Sequence, residues 1–134
     1  MLGDLVAHAR EACPRECCGL LIGTSGRIIE GRRARNLAES PTRFLLDAQA
    51  HVEARRDSRR RGLDVVGFYH SHPATPAVPS ATDLAEAWPD EHCHVIVSLA
   101  TPVPETRLYV LYDGRFRELR LETFEASGGS SQSQ

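Results

Sequence analysis

The stretch that most constrains this chain runs from Leu63 to His72, ends in His70-Ser71-His72-Pro73, and is followed by Ser80 and Asp83. Two imidazoles, a hydroxyl and a carboxylate must then be carried by one strand, one short loop and one helix start. Val65, Val66, Phe68 and Tyr69 make the stretch apolar and rich in β-formers, which predicts a strand. Side chains alternate faces along a strand, so His70 and His72 point the same way. Two neutral imidazoles in that relation can reach one zinc ion at about 2.0–2.1 Å each without bending the backbone. A third ligand is still needed.

Pro73, Pro76 and Pro79 stiffen the connection that follows and stop the strand from continuing. Ser80-Ala81-Thr82-Asp83 then reads as a capping box, with Ser80 as N-cap and Asp83 one turn in, opening a helix through Leu84 to Ala87. Capping alone would account for both residues. After His-x-His-Pro, however, the Asp83 carboxylate can also close a three-ligand site whose fourth position takes water, the arrangement of catalytic zinc. As an N-cap, Ser80 accepts a backbone N–H and keeps its own O–H free to donate to a developing oxyanion.

His70-Ser71-His72-Pro73, six residues, Ser80, two residues, Asp83 resembles the signature of the JAMM (MPN+) zinc metalloproteases with its spacing intact. The resemblance implies one Zn²⁺ per chain, held by His70, His72 and Asp83, with Ser80 as the oxyanion donor. It also implies a catalytic glutamate upstream, and Glu16, at the head of Glu16-Cys17-Cys18-Gly19-Leu20-Leu21-Ile22-Gly23, matches that residue. The pattern of residues alone does not separate Glu16 from Glu11 or Glu30. In the implied mechanism Glu16 takes a proton from the zinc-activated water and returns it to the leaving amine.

With 134 residues, 41% hydrophobic and 25% charged, the chain has the size and composition of one domain, expected over residues 1–126. Residues 127–134, Ser-Gly-Gly-Ser-Ser-Gln-Ser-Gln, hold no apolar side chain and read as a disordered tail. A formal net charge of −2 argues for neither nucleic acid nor an acidic membrane as partner. No apolar run is long enough for a membrane span and no signal-peptide pattern follows Met1, so a cytoplasmic protein is expected. All sixteen basic residues are arginine, which excludes Schiff-base and P-loop lysine chemistry.

The remaining pattern alternates helices and strands. Leu2 to Ala12 predicts a helix stopped by Pro14, and Cys17–Thr24 and Arg27–Arg35 predict strands about a Ser25-Gly26 turn. Irregular or strand structure reaches Phe44-Leu45-Leu46, and Asp47 caps a helix to about Arg61. That helix carries Arg55, Arg56, Arg59, Arg60 and Arg61, read chiefly as a solvated face with a dipole-complementing end and otherwise as a dock for an acidic partner. Trp88 and Pro89 end the helix opened by Ser80. His94–Leu99, Arg107–Tyr112 and Phe116–Phe124 predict three more strands, the last two joined through Asp113-Gly114. His92 and His94 form a second His-x-His, but no proline loop or Ser-x-x-Asp follows, so they read as structural. Cys13, Cys17, Cys18 and Cys93 read as free thiols, since adjacent cysteines do not bridge without strain.

These elements give an α/β or α+β fold. The resemblance narrows it to a curved mixed β-sheet flanked by helices, similar to cytidine deaminases. Deaminase chemistry itself is excluded, because neither a His-x-Glu nor a Pro-Cys-x-x-Cys occurs. Pro14 to Leu21 and Gly67 to Pro73 resemble the short stand-alone bacterial branch, which implies as partner a ubiquitin-like sulfur-carrier protein ending in Gly-Gly. The carrier tail would be trimmed of cysteine or a short extension, lying along a sheet edge as an added strand. A general zinc peptidase acting on other substrates and a non-catalytic MPN interaction module are the alternatives.

Overall fold

In chain order the elements are α1 (Leu2–Ala12), β1 (Cys18–Thr24), β2 (Arg27–Ala34), α2 (Ala48–Arg60), β3 (Asp64–His72), α3 (Ala81–Glu86), β4 (Cys93–Ser98), β5 (Glu105–Tyr112) and β6 (Arg115–Leu119). The computed structural model describes residues 1–86 and 93–122. The expected helix stop at Trp88 and Pro89, His92, the end of the last strand at Phe124 and the tail from Ser127 lie outside them. The six strands form one sheet in the order β2-β1-β3-β4-β5-β6. It is the expected mixed sheet with helices between strands.

Only β3 and β4 run parallel; the other neighbours are antiparallel. A parallel pair cannot be joined by a tight turn, so the chain must cross over between them. The proline loop and α3 lie in that crossover, which is why Asp83 returns towards the end of β3 that carries the two histidines. On one face of the sheet, Leu5 and Ala9 of α1 pack with Cys17, Leu21, Tyr69, Val95 and Val97. On the other, Ala54 of α2 packs with Leu20, Ile22, Val65 and Phe68. Val65 and Phe68 share a face although three residues apart, because the register slips between Leu21 and Ile22 and Val66 has no partner across β1, a β-bulge.

Local chemistry explains the element ends. The Asp47 side chain accepts from the Gln49 amide and so caps α2. Asp113 and Gly114 both have positive φ, 52° and 72°, which a two-residue hairpin turn matched to the twist of its strands demands. β5 starts at Glu105 rather than Arg107, because Glu105 and Thr106 pair with Ser98 and Val97. β6 leaves the ladder at Leu119, and Arg120 to Glu122 are not paired with β5. Around α2 some arginines are paired: Asp57 of the helix binds Arg60 at 3.2 Å and Arg32 of β2 at 2.9 Å, and Arg61, just past the helix, binds Glu30. These exposed pairs are worth little individually.

Candidate metal centre

His70 and His72 end β3 on the face that also bears α2, and their Nε2 atoms lie 3.2 Å apart. Asp83 Oδ2 stands 3.1 Å from His72 Nε2 and 3.2 Å from His70 Nε2, and all three side chains are almost wholly withdrawn from solvent. Ligand atoms about a tetrahedral ion with bonds of about 2.0–2.1 Å lie about 3.3–3.4 Å apart, so this triangle has nearly the edge such an ion needs. His72 Nδ1 is 2.8 Å from the Pro76 carbonyl oxygen, which can only accept, so Nδ1 carries the proton. In the neutral imidazole that leaves a lone pair on Nε2 facing a carboxylate oxygen and a second imidazole nitrogen. Two imidazole nitrogens and a carboxylate oxygen converging on one point form a donor set that suits a metal. Among the described residues these three form the group that can hold one.

The electrostatics follow from that crowding. Burial would raise the Asp83 carboxyl, but the two imidazoles and the Ser80 amide hold it well below the usual carboxylate range. Burial lowers His70, with Asp83 opposing. Burial acts downward on His72 too, yet Asp83 and the Pro76 carbonyl outweigh it and the ring is raised.

Ser80 and Asp83 form the reciprocal capping box. The Asp83 amide donates to Ser80 Oγ at 2.9 Å, and the Ser80 amide donates to Asp83 Oδ2 at 2.8 Å. The cap therefore fixes the carboxylate that faces the histidines. Ser80 is exposed, and as an acceptor in the cap it keeps its hydroxyl proton.

Glu16 reaches the site from β1. The ladder pairs Cys18 with His70, and the next rung joins Cys17 to Ser71, so Glu16 comes opposite His72 on the same face. Glu16 is 6% exposed, and its Oε1 is buried with no hydrogen-bond partner among the described residues. Burial, with Asp83 adding to it and His72 opposing, pushes this carboxyl up to about 7. A carboxyl raised towards neutrality beside His72 and Asp83 can exchange protons. The rival acids are elsewhere: Glu11 is held by Arg33 at 2.8 and 3.0 Å, and Glu30 by Arg61.

Other residues around the centre had no signal in the sequence. Phe44 stacks on His70 with ring centroids 4.4 Å apart and planes 22° from parallel. Cys18, the cross-strand neighbour of His70, is fully buried, its thiol lies 3.6 Å from the Arg35 carbonyl, and burial pushes it up to about 12. His94 stands apart from the three, buried against Phe68 and Phe116. Cys13, Cys17, Cys18 and Cys93 are free thiols.

Residues 1–112 match the family described as prokaryotic homologs of the JAB domain. The CysO-cysteine peptidase of Mycobacterium tuberculosis is 38% identical over 122 residues, which is 88% of this chain and 83% of that protein. The desampylase of Pyrococcus furiosus is 38% identical over 76 residues, 55% of this chain; the match spans 54% of that relative. Among solved structures, a protein from Desulfitobacterium hafniense superimposes with a TM-score of 0.80 at 36% identity, covering 88% of this chain and 84% of its own.

Proposed function

The chain belongs to the prokaryotic JAB-domain family, and on that premise we propose that it is a zinc-dependent metallopeptidase acting on a ubiquitin-like sulfur-carrier protein. It hydrolyses an amide bond at the carrier's C-terminal Gly-Gly and releases cysteine or a short extension. The convergence of His70 Nε2, His72 Nε2 and Asp83 Oδ2 within 3.1–3.2 Å, with the Glu16 carboxyl across from His72, carries the reading. Likeness to a CysO-cysteine peptidase over 88% of the chain supports the substrate class.

His70, His72 and Asp83 would hold the zinc, which would supply Lewis acidity to the scissile carbonyl and bring a water's pKa towards neutrality. The protein's own groups do the rest. Glu16, near neutrality in its buried setting, takes the proton of the attacking water and delivers it to the leaving amine. Ser80 donates its free hydroxyl proton to the oxyanion. The cap keeps Asp83 and Ser80 in fixed relation, so the ligand and the oxyanion donor move as one unit. In this proposal residues 1–126 are the catalytic domain and the cytoplasm is its setting.

Intact-mass spectrometry tests this on a Gly-Gly carrier bearing a C-terminal cysteine, taken from the same genome. Wild type is expected to trim the carrier back to Gly-Gly, while chelator-treated protein and Glu16→Ala do not. Cleavage of unrelated peptides with the carrier left intact would replace this reading with a general peptidase. Bound zinc with no cleavage of either would leave the interaction module.

A further inference from the structure

Three consecutive carbonyls in the loop between β3 and α3 are each held by a different strand. Thr75 O accepts from Ser98 Oγ at 2.6 Å, Pro76 O from His72 Nδ1 at 2.8 Å, and Ala77 O from Tyr109 Oη at 2.6 Å. His72 lies on β3, Ser98 ends β4 as the ladder partner of His72, and Tyr109 lies on β5. Ser98 and Tyr109 are buried, at 2% and 6% exposed, and Ala77 is sealed into a cluster with Ile96 and Tyr109. The loop is thus stitched to the sheet at Thr75 and Ala77, the two residues that flank the acceptor of His72.

We propose that Ser98 and Tyr109 are positioning residues of the metal centre: by holding Thr75 and Ala77 they fix the Pro76 carbonyl against His72 Nδ1. Only one imidazole nitrogen of His72 can face His70 and Asp83, and the proton on the other selects which. Were Pro76 O to swing away, Nδ1 would lose its acceptor, and the tautomer with Nε2 protonated, useless as a ligand, would become accessible. The same loop leads within a few residues to Ser80, so its position also sets where the cap begins. Neither hydroxyl touches the ligand atoms; both act through Pro76. This inference rests on the proposed zinc centre.

The test is zinc affinity, measured on the full chain by competition with a chromophoric chelator, beside carrier-trimming kinetics. Tyr109→Phe removes one oxygen and keeps the ring in its cluster; Ser98→Ala removes the other hydroxyl, and Ser98→Thr restores it. Partners one step beyond a metal ligand typically change affinity by about 10–100-fold. Tyr109→Phe and Ser98→Ala are expected to weaken zinc binding within that range, with Ser98→Thr recovering most of it, and to lower kcat at saturating zinc with KM little changed. Val65→Ala, which loosens the α2 cluster at the far end of β3 from His72, should lower the melting temperature and leave zinc affinity unchanged. If the two hydroxyl deletions bind zinc as wild type does, or if Val65→Ala weakens binding equally, the positioning role is overturned. A wild type that binds no zinc would overturn the metal reading and the inference together, whereas tight zinc binding without carrier cleavage leaves the affinity comparison decisive.

Discussion

The Cys17 amide donates to the Ser71 hydroxyl at 2.8 Å, while Ser71 returns its own amide to the Cys17 carbonyl at 3.1 Å. A side chain thus takes the place of a main-chain carbonyl at the last rung between β1 and β3. Ser71 is fully buried and, by strand alternation, faces away from His70 and His72. Its position inside the His-x-His sequence therefore serves register, and the register is what brings Glu16 opposite His72.

Ser71→Ala should leave the buried Cys17 amide without a partner. Such an orphaned donor costs about 1–3 kcal/mol. Denaturant unfolding should show a loss of that size, and trimming kinetics a lower kcat with zinc content retained. Unchanged stability and kcat would mean that the rung holds without the hydroxyl.

Glu16 gives a pH-dependent prediction. Its folded pKa of about 7 lies above the ordinary 4.5, so between those values the folded chain binds more protons than the unfolded one. Its contribution is therefore full below pH 4.5 and is lost as pH rises to 7. A shift of that size corresponds to about 3 kcal/mol. In chelator, Glu16→Gln should match the wild type in stability near pH 4.5 and exceed it at pH 8 by up to that amount; with zinc restored, it should lack the wild type's turnover. Parallel stability curves for the two proteins across this range would show that Glu16 is not desolvated.

Much of the candidate centre is legible in the sequence because it is local. His70 and His72 follow from a strand period of two, and Ser80 with Asp83 from a contact three residues apart on a helix start. Glu16 is different, for the rung that positions it joins residues 54 apart. Register between distant strands leaves no periodic trace, so only family likeness favoured Glu16 over Glu11 and Glu30. Geometry separates them, since both rivals are paired with arginines on the surface. Phe44 over His70 and Tyr109 on Ala77 are of the same nonlocal kind, and no spacing announces them. His94 has no proline loop or Ser-x-x-Asp after it to bring a carboxylate, and it packs against Phe68 and Phe116, apart from His70, His72 and Asp83.

Asp83→Asn separates the structural from the metal-binding use of one side chain. Asparagine can still accept the Ser80 amide through its carbonyl oxygen, so the cap persists, but the negative charge between two imidazoles is gone. Zinc affinity should fall by well over about 10-fold, since a ligating carboxylate is lost along with its charge. Stability in chelator should change by no more than about 1–2 kcal/mol, the usual scale of a cap. Calorimetric zinc titration beside thermal melts of the metal-free proteins reads both. A variant that binds zinc normally would remove Asp83 from the ligand set.

The last prediction concerns the junction of β3 with β4, the parallel pair on which the crossover depends. Gly67 is paired with Cys93, and a Cβ added at Gly67 would collide with the Cys93 backbone carbonyl as well as its side chain. Backbone cannot rotate out of the way as a side-chain tip can. Gly67→Ala must therefore push the strands apart at the start of their ladder, and forcing atoms into a packed interior costs about 1–3 kcal/mol. The strain lies three residues from His70, so it should reach the ligands only weakly. Denaturant unfolding should show the full loss, while zinc affinity at low temperature stays within a few-fold of wild type. Wild-type stability in Gly67→Ala would mean that the two strands approach each other less closely than this geometry has them.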